Sequence, residues 1–207
     1  MSSADTAVGA ILAGGRSTRF GADKRVASFH GEPLVERVAR VLGSVVNRVV
    51  LVTADGVALS GIAIPAIADE YPSAGPLAGI HAALSYALAL GSRGALIVGC
   101  DMPFISAGLL QELIRRGNEG RSPAVAPQSE GRRGLEPLCA WYSCAAFPPI
   151  EAALSSGQLS PHLLLAALGA DILPLDNVRN FGDPAVIFRN LNTPDDLAEA
   201  ERTSSIG

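Results

Sequence analysis

Short, continuous apolar runs alternate along this chain with stretches whose apolar residues recur every three or four positions. Val8-Gly9-Ala10-Ile11-Leu12-Ala13 is the first such run, and it stops at the adjacent glycines Gly14 and Gly15. It reads as a buried strand, with a loop at its carboxyl end. After Phe29–Leu34, with Pro33 near a first helical position, Leu34, Val38, Val41, Leu42 and Val45 line up as the apolar stripe of a helix. Val49–Val52 predicts a second buried strand, ending at Thr53, and Ile62–Ile67 a short third one, ending at Asp69. Leu77, Ile80, Leu84 and Leu88 share a helical phase. Ala95–Cys100 is a further all-apolar strand and runs straight into Asp101-Met102-Pro103.

Leu109, Leu110, Leu113 and Ile114 mark another helix, and Pro123–Pro127 a short strand. Gln128–Gly134 is polar and predicts an exposed connection. Leu138–Tyr142 reads as a strand, the one candidate for an antiparallel direction. Short helices are expected near Ile150–Leu154 and Pro161–Leu168, and late strands at Ile172–Leu175 and Val186–Phe188. Thr193-Pro194-Asp195-Asp196 combines an N-cap, a proline at N1 and acids in the first turn, so a helix starts there.

Strands alternating with helices imply an α/β fold: a mainly parallel sheet covered on both faces, hence three layers. Ligands of such sheets bind beyond the carboxyl ends of the strands. The polar residues that follow the first four strands are therefore expected to converge on one cleft. The 207 residues suit a single domain spanning 1–207.

Composition narrows the function. Apolar residues make up 48% of the chain and charged residues 17%, enough for a full core. The net charge of −4 argues against nucleic acid as a partner. No apolar run is long enough to span a membrane, and the first residues do not form a signal peptide. Cys100, Cys139 and Cys144 are odd in number and lack zinc-ligand spacing, which fits reduced thiols and a cytoplasmic location.

The densest chemistry follows the first strand. Leu12 to Lys24 reads L-A-G-G-R-S-T-R-F-G-A-D-K, with Arg25 next. Glycines let the backbone approach a ligand closely, and free N–H groups beside Arg and Lys suit a triphosphate. The string is neither a P-loop, since no lysine directly follows its second glycine, nor a G-x-G-x-x-G dinucleotide loop. Lys24 and Arg19 are the residues expected to neutralise phosphates, with Arg16 and Arg25 ranked behind them. Asp101 is the candidate metal ligand, because a carboxylate that ends a buried strand and faces a triphosphate suits Mg²⁺. The rival for Asp101 is an ordinary turn or capping aspartate.

Thr53 and Asp69 end neighbouring strands toward the same edge, where they would read a base or ribose, or simply form turns. Gly75-Pro76-Leu77-Ala78-Gly79 leads into a helix whose start, near Gly79, would face an anion or be a plain junction. Asn190 and Asn192 lie on one side of an extended segment. Thr193 is assigned to capping, and Trp141 and Tyr142 to the core. His30, His81 and His162 do not pair with an acid or cysteine at useful spacing, and no catalytic role is assigned to them.

These segments, taken together, resemble the molybdenum cofactor guanylyltransferases (MobA-type) of the GT-A-like nucleotidyltransferases. The resemblance rests on Leu12–Lys24, Asp69 with Gly75–Gly79, Asp101-Met102-Pro103, Glu136-Pro137-Leu138 and Asn190–Leu197, in that order along the chain. It implies a Rossmann-like sandwich with a mixed sheet. It also implies that Leu12, Ala13, Gly14, Gly15, Lys24, Thr53, Asp69 and Asp101 hold GTP, with Asp101 on Mg²⁺. Gly79, Asn190 and Asn192 join this binding set. The implied reaction is transfer of GMP from GTP to the phosphate of molybdopterin, with pyrophosphate leaving. Cofactor-biosynthesis proteins and recipient molybdoenzymes are the implied protein partners. Phe20 stands where the family usually has Met and Thr53 where Asn is common, while the position of Glu136 varies. Two other readings stay open beside this one. One is a relative that uses CTP or another acceptor, such as a sugar phosphate; the other is a nucleotide-binding partner without turnover.

Overall fold

Strand β1 (Ala7–Leu12) is apolar and buried at every position, which only a strand covered on both faces requires. The computed structural model describes residues 7–13, 27–71 and 73–204. A two-stranded ribbon, β2 (Ser28–Phe29) and β3 (Glu32–Pro33), leads into α1 (Leu34–Gly43), and β4 (Val49–Thr53) returns to the sheet. Next come β5 (Ala66–Ala68), α2 (Pro76–Ala89), β6 (Gly94–Gly99), α3 (Ala107–Asn118) and β7 (Ala124–Pro127). Then follow β8 (Cys139–Ser143), α4 (Phe147–Ser155), α5 (Pro161–Ala167) and β9 (Asp171–Leu173). The chain ends with α6 (Leu175–Val178), α7 (Pro184–Ile187) and α8 (Pro194–Ser204).

The main sheet has the order β5-β4-β1-β6-β8-β7-β9. Neighbours pair in parallel except β8, which runs antiparallel to both β6 and β7. Successive side chains of a strand point to opposite faces. Accordingly Ile11, Leu96 and Val98 pack with Val35, Val38 and Leu42 of α1 and with Leu109 and Leu113 of α3. Val8, Ala10, Ala95 and Ile97 pack on the other face with Leu77, Ile80 and Leu84 of α2 and with Ile150 of α4. This is the expected mixed, mostly parallel three-layer sandwich. A third cluster joins Phe29 and Leu34 to Leu191 and Ala200, so the last helix is docked beside the small ribbon. No helix among the described residues is long and apolar enough to cross a membrane.

Two expected strands need correction. Val186–Phe188 is helical instead, because Asp183 caps α7 by accepting from the Ala185 N–H at 2.9 Å and Pro184 occupies its first turn. An N-cap followed by proline outweighs the β preference of Val-Ile-Phe. Of Ile62–Ile67 only the end joins the sheet, as part of β5. Pro65 has no N–H for the ladder, although its carbonyl accepts from Leu51 at 2.8 Å. The Thr193 cap is present: its hydroxyl accepts from the Asp196 N–H, and Asp196 accepts in return from Asn192 and Thr193 N–H groups.

Trp141 and Tyr142 are fully core, as their sequence context predicts. Trp141 fits only because Gly117 of α3 has no side chain: a Cβ there would stand 1.7 Å from Trp141 Nε1. Gly117→Ala is therefore expected to lower stability by about 1–3 kcal/mol through overpacking, less the ordinary helix gain of alanine over glycine. Urea unfolding followed by Trp141 fluorescence measures this, and an unchanged midpoint would refute the packing argument.

Candidate active site

Asp101 leaves the sheet at the carboxyl end of β6, and its main chain is held from several directions. The N–H of Cys100 donates to Leu12 O at 3.1 Å, and that of Gly99 to Leu138 O at 2.9 Å. Met102 N–H closes back onto Gly99 O at 3.2 Å, and Leu191 N–H donates to Asp101 O at 2.9 Å. Arg37 Nε of α1 donates to Pro103 O at 3.1 Å. The carboxylate itself depends on Gly99, where a Cβ would stand 2.7 Å from Asp101 Oδ1.

Asp101 lines a cavity of about 540 Å³. Glu136, Pro137 and Leu138 enter from the segment before β8, since an antiparallel strand starts at the edge where its neighbour ends. Ser160, Pro161 and His162 come from the start of α5, and Arg133 from the β7–β8 connection. Asn190 and Asn192 complete the wall, both exposed, while Leu191 between them is buried. The Leu191–Asp101 hydrogen bond thus sets both amides beside the carboxylate, as the period of an extended chain requires.

Glu136 is the functional candidate that sequence reading ranked low. Burial pushes its carboxyl above the usual range; the Ser129 hydroxyl opposes this, and the negative charge of Asp101 adds to it. Two carboxylates facing one cavity repel each other unless a cation lies between them or one is protonated. Arg133 and His162 were not singled out either. Their signal is the direction of β8, which brings the polar connection back to the ligand edge of the sheet.

The other expected residues lie along the same edge, beyond β6. Ala13 N–H donates to Val52 O at 3.0 Å, which places the end of β1 beside β4. Asp69 N–H donates to Thr53 O at 3.0 Å, and Asp69 Oδ1 accepts from Tyr71 N–H at 2.8 Å. Burial raises the pKa of Asp69; the Tyr71 N–H and the nearby His81 counter it. His81 is buried between Tyr71 and Phe147, with ring centroids 4.9 and 4.5 Å away. Thr53 is fully buried and its hydroxyl points to Val57 O at 3.4 Å, so this side chain offers no polar surface to the cleft. Gly79 is also buried: it lets the first turn of α2 close onto Leu12, to which a Cβ would come within 3.0 Å. Gly14, Gly15, Arg16, Arg19, Lys24 and Arg25 lie outside the described residues.

A strand-end carboxylate, a neighbouring open cavity and this strand order invite comparison with known proteins. The model of the MobA-like NTP transferase domain matches residues 9–171. The chain belongs to this family. A relative from Pelotomaculum thermopropionicum described as a probable molybdenum cofactor guanylyltransferase is 35% identical, over 94% of this chain and 91% of its own. A molybdenum cofactor guanylyltransferase from Rhizobium leguminosarum bv. trifolii is 38% identical, over 94% and 91%. Among solved structures, molybdopterin-guanine dinucleotide biosynthesis protein A from Archaeoglobus fulgidus superposes with a TM-score of 0.80. It is 28% identical and the match covers 97% of this chain and all of that one. The MobA-like match ends at residue 171, so Asn190 and Asn192 reach the cavity from outside it.

The raised pKa of Glu136 has a sign that can be tested. An acid that titrates higher in the folded state binds extra protons there, so folding stability falls as pH rises through the window between its unfolded and folded values. Glu136→Gln removes that loss. In EDTA, the variant is expected to gain stability relative to the parent as pH rises above about 4, and to gain nothing below about pH 4. A stability difference that stays flat with pH in denaturant titrations would rule this out.

Proposed function

We propose that this chain transfers GMP from GTP to the phosphate of the molybdopterin cofactor, releasing pyrophosphate, and that it does so in the cytoplasm. The observation that carries the reading is Asp101, at the boundary between two halves of one sheet edge. On one side end β1, β4 and β5, with Ala13 and Asp69; on the other lies the cavity bounded by Glu136, Asn190 and Asn192. In this reading GTP lies along the first half. Leu12 and Ala13 flank its base or ribose by main chain, Asp69 accepts from ring N–H groups, and Gly14, Gly15, Arg19 and Lys24 take the phosphates. The acceptor occupies the cavity, with Asn190 and Asn192 as neutral hydrogen-bonding groups beside it.

The donors around Asp101 suit Mg²⁺. They are hard oxygens, a carboxylate with a second carboxylate and two amides near by, and Gly99 leaves the Asp101 oxygen room. When bound there, Mg²⁺ would offset negative charge on the phosphates of GTP. An oxygen of the acceptor phosphate attacks the α-phosphorus, the bond from that phosphorus to the bridging oxygen breaks, and the electron pair leaves with pyrophosphate. The attacking oxygen is already ionised, so no general base is needed. What the protein contributes is position and charge: Asp101 fixed by the Leu191 N–H and the β6 turn, with Lys24 and Arg19 on the phosphates.

Asp101→Ala is expected to lower turnover by about a hundredfold or more while leaving the far-ultraviolet spectrum unchanged. Full activity in that variant would remove the metal assignment. Pyrophosphate release with the molybdenum cofactor, compared among GTP, CTP, ATP and UTP, is expected to favour GTP. A preference for CTP would replace the guanylyl reading with a cytidylyl one, and no release with any nucleotide would leave a binding protein without turnover.

A further inference from the structure

The cavity wall across from the nucleotide half carries a polar pair that the transfer chemistry described above does not use. Arg133 Nη1 lies 3.4 Å from His162 Nδ1, and His162 Nε2 lies 3.2 Å from Leu135 O. A carbonyl only accepts, so the ring hydrogen sits on Nε2 and Nδ1 turns its lone pair toward the guanidinium. Burial holds this imidazole below its usual pKa; the Leu135 carbonyl opposes that, and the Arg133 charge reinforces it. Most arginines with described partners are committed to carboxylates: Arg37 and Arg40 to Glu32, Arg116 to Glu112 and Asp171, Arg179 to Glu130 and Asp176. Arg133 is not among these ion pairs. Its contact is a neutral ring, and its fork remains available to the cavity.

We infer that Arg133 and His162 form a grip for a phosphate monoester, namely the phosphate of the acceptor. The inference rests on the reading that the cavity takes the acceptor. A guanidinium donates to two phosphate oxygens at once, and Nδ1, whose single lone pair accepts from Arg133 Nη1, holds that guanidinium in place. The described ionisable groups that share the cavity with His162 are Arg133, Glu136 and Asp101. The two carboxylates repel a phosphate, which leaves the Arg133 side of the cavity as its place in the absence of a cation. The triphosphate is the other phosphate source. It is disfavoured because Arg133 and His162 enter from the β7–β8 connection and the start of α5, on the β8 side of β6.

The grip can be read without turnover. Inorganic phosphate is added to the full-length protein while the ring ¹⁵N resonances of His162 are followed. They are expected to shift saturably as the Arg133–Nδ1 contact changes, and Arg133→Gln is expected to weaken that binding about tenfold or more. Ring resonances that phosphate leaves in place would overturn the grip. Steady-state kinetics separates the two phosphate sources. Arg133→Gln and His162→Gln should each raise KM for the molybdenum cofactor about tenfold with KM for GTP unchanged, and Arg133→Lys should restore part of the loss. A rise confined to KM for GTP, or no rise in either, overturns the assignment to the acceptor. A wild-type protein that transfers no GMP would sink the proposed function instead, and the His162 spectrum would still decide whether phosphate binds at this pair.

Discussion

A charged group just past the end of a strand that is buried on both faces has very few residues in which to reach water. That constraint governs the centre of this protein. Ala95 through Val98 have no exposure at all, and Asp101 already lines an open cavity. The change is abrupt because the chain turns at Gly99, where Met102 bonds back, and because no side chain at Gly99 crowds the carboxylate. Leu12, Leu138 and Leu191 fix the same turn through main-chain hydrogen bonds, which do not depend on the side chains present. The position of Asp101 is thus a property of the backbone, set by main-chain hydrogen bonds from several segments.

The sheet divides at that point into unlike halves. β1, β4 and β5 are parallel and present their carboxyl ends, while β8 is reversed and presents its beginning. The MobA-like family assignment accounts for this order, since a fold relative with a TM-score of 0.80 covers nearly the whole chain. The reversal matters chemically because it adds a long connection, residues 128–138, to the ligand edge. Glu136, Arg133 and the Leu135 carbonyl all reach the site by that route.

Much of this was legible in the residues. The apolar runs at Val8–Ala13 and Ala95–Cys100 are too continuous for a half-exposed strand, and both are central strands. Asp101 was visible because a carboxylate directly after such a run has few places to go. Asn190 and Asn192 were visible through the two-residue period around Leu191. The helix at Pro184–Ile187 was misread because a four-residue element gives no periodicity, and there the cap decides. Thr53 and Gly79 were placed correctly along the chain, yet their burial depends on what packs over them, Val57 for one and Leu12 for the other. Glu136, Arg133 and His162 were hidden for a different reason. They come together only through the antiparallel pairing of β8 and the docking of α5, and neither leaves a local pattern.

The bond from Leu191 to Asp101 joins positions ninety residues apart, and the asparagines on either side of Leu191 come from beyond the part of the chain that the family model matches. During synthesis the strands that carry Asp101 emerge first, and domains tend to fold as units once enough chain is out. Until the segment around residue 190 has left the ribosome, the turn after β6 lacks one of its hydrogen-bond donors and the cavity lacks a wall. Growing chains of this protein therefore place Asp101 early but complete the cavity wall beside it only once residues 190–192 have been made.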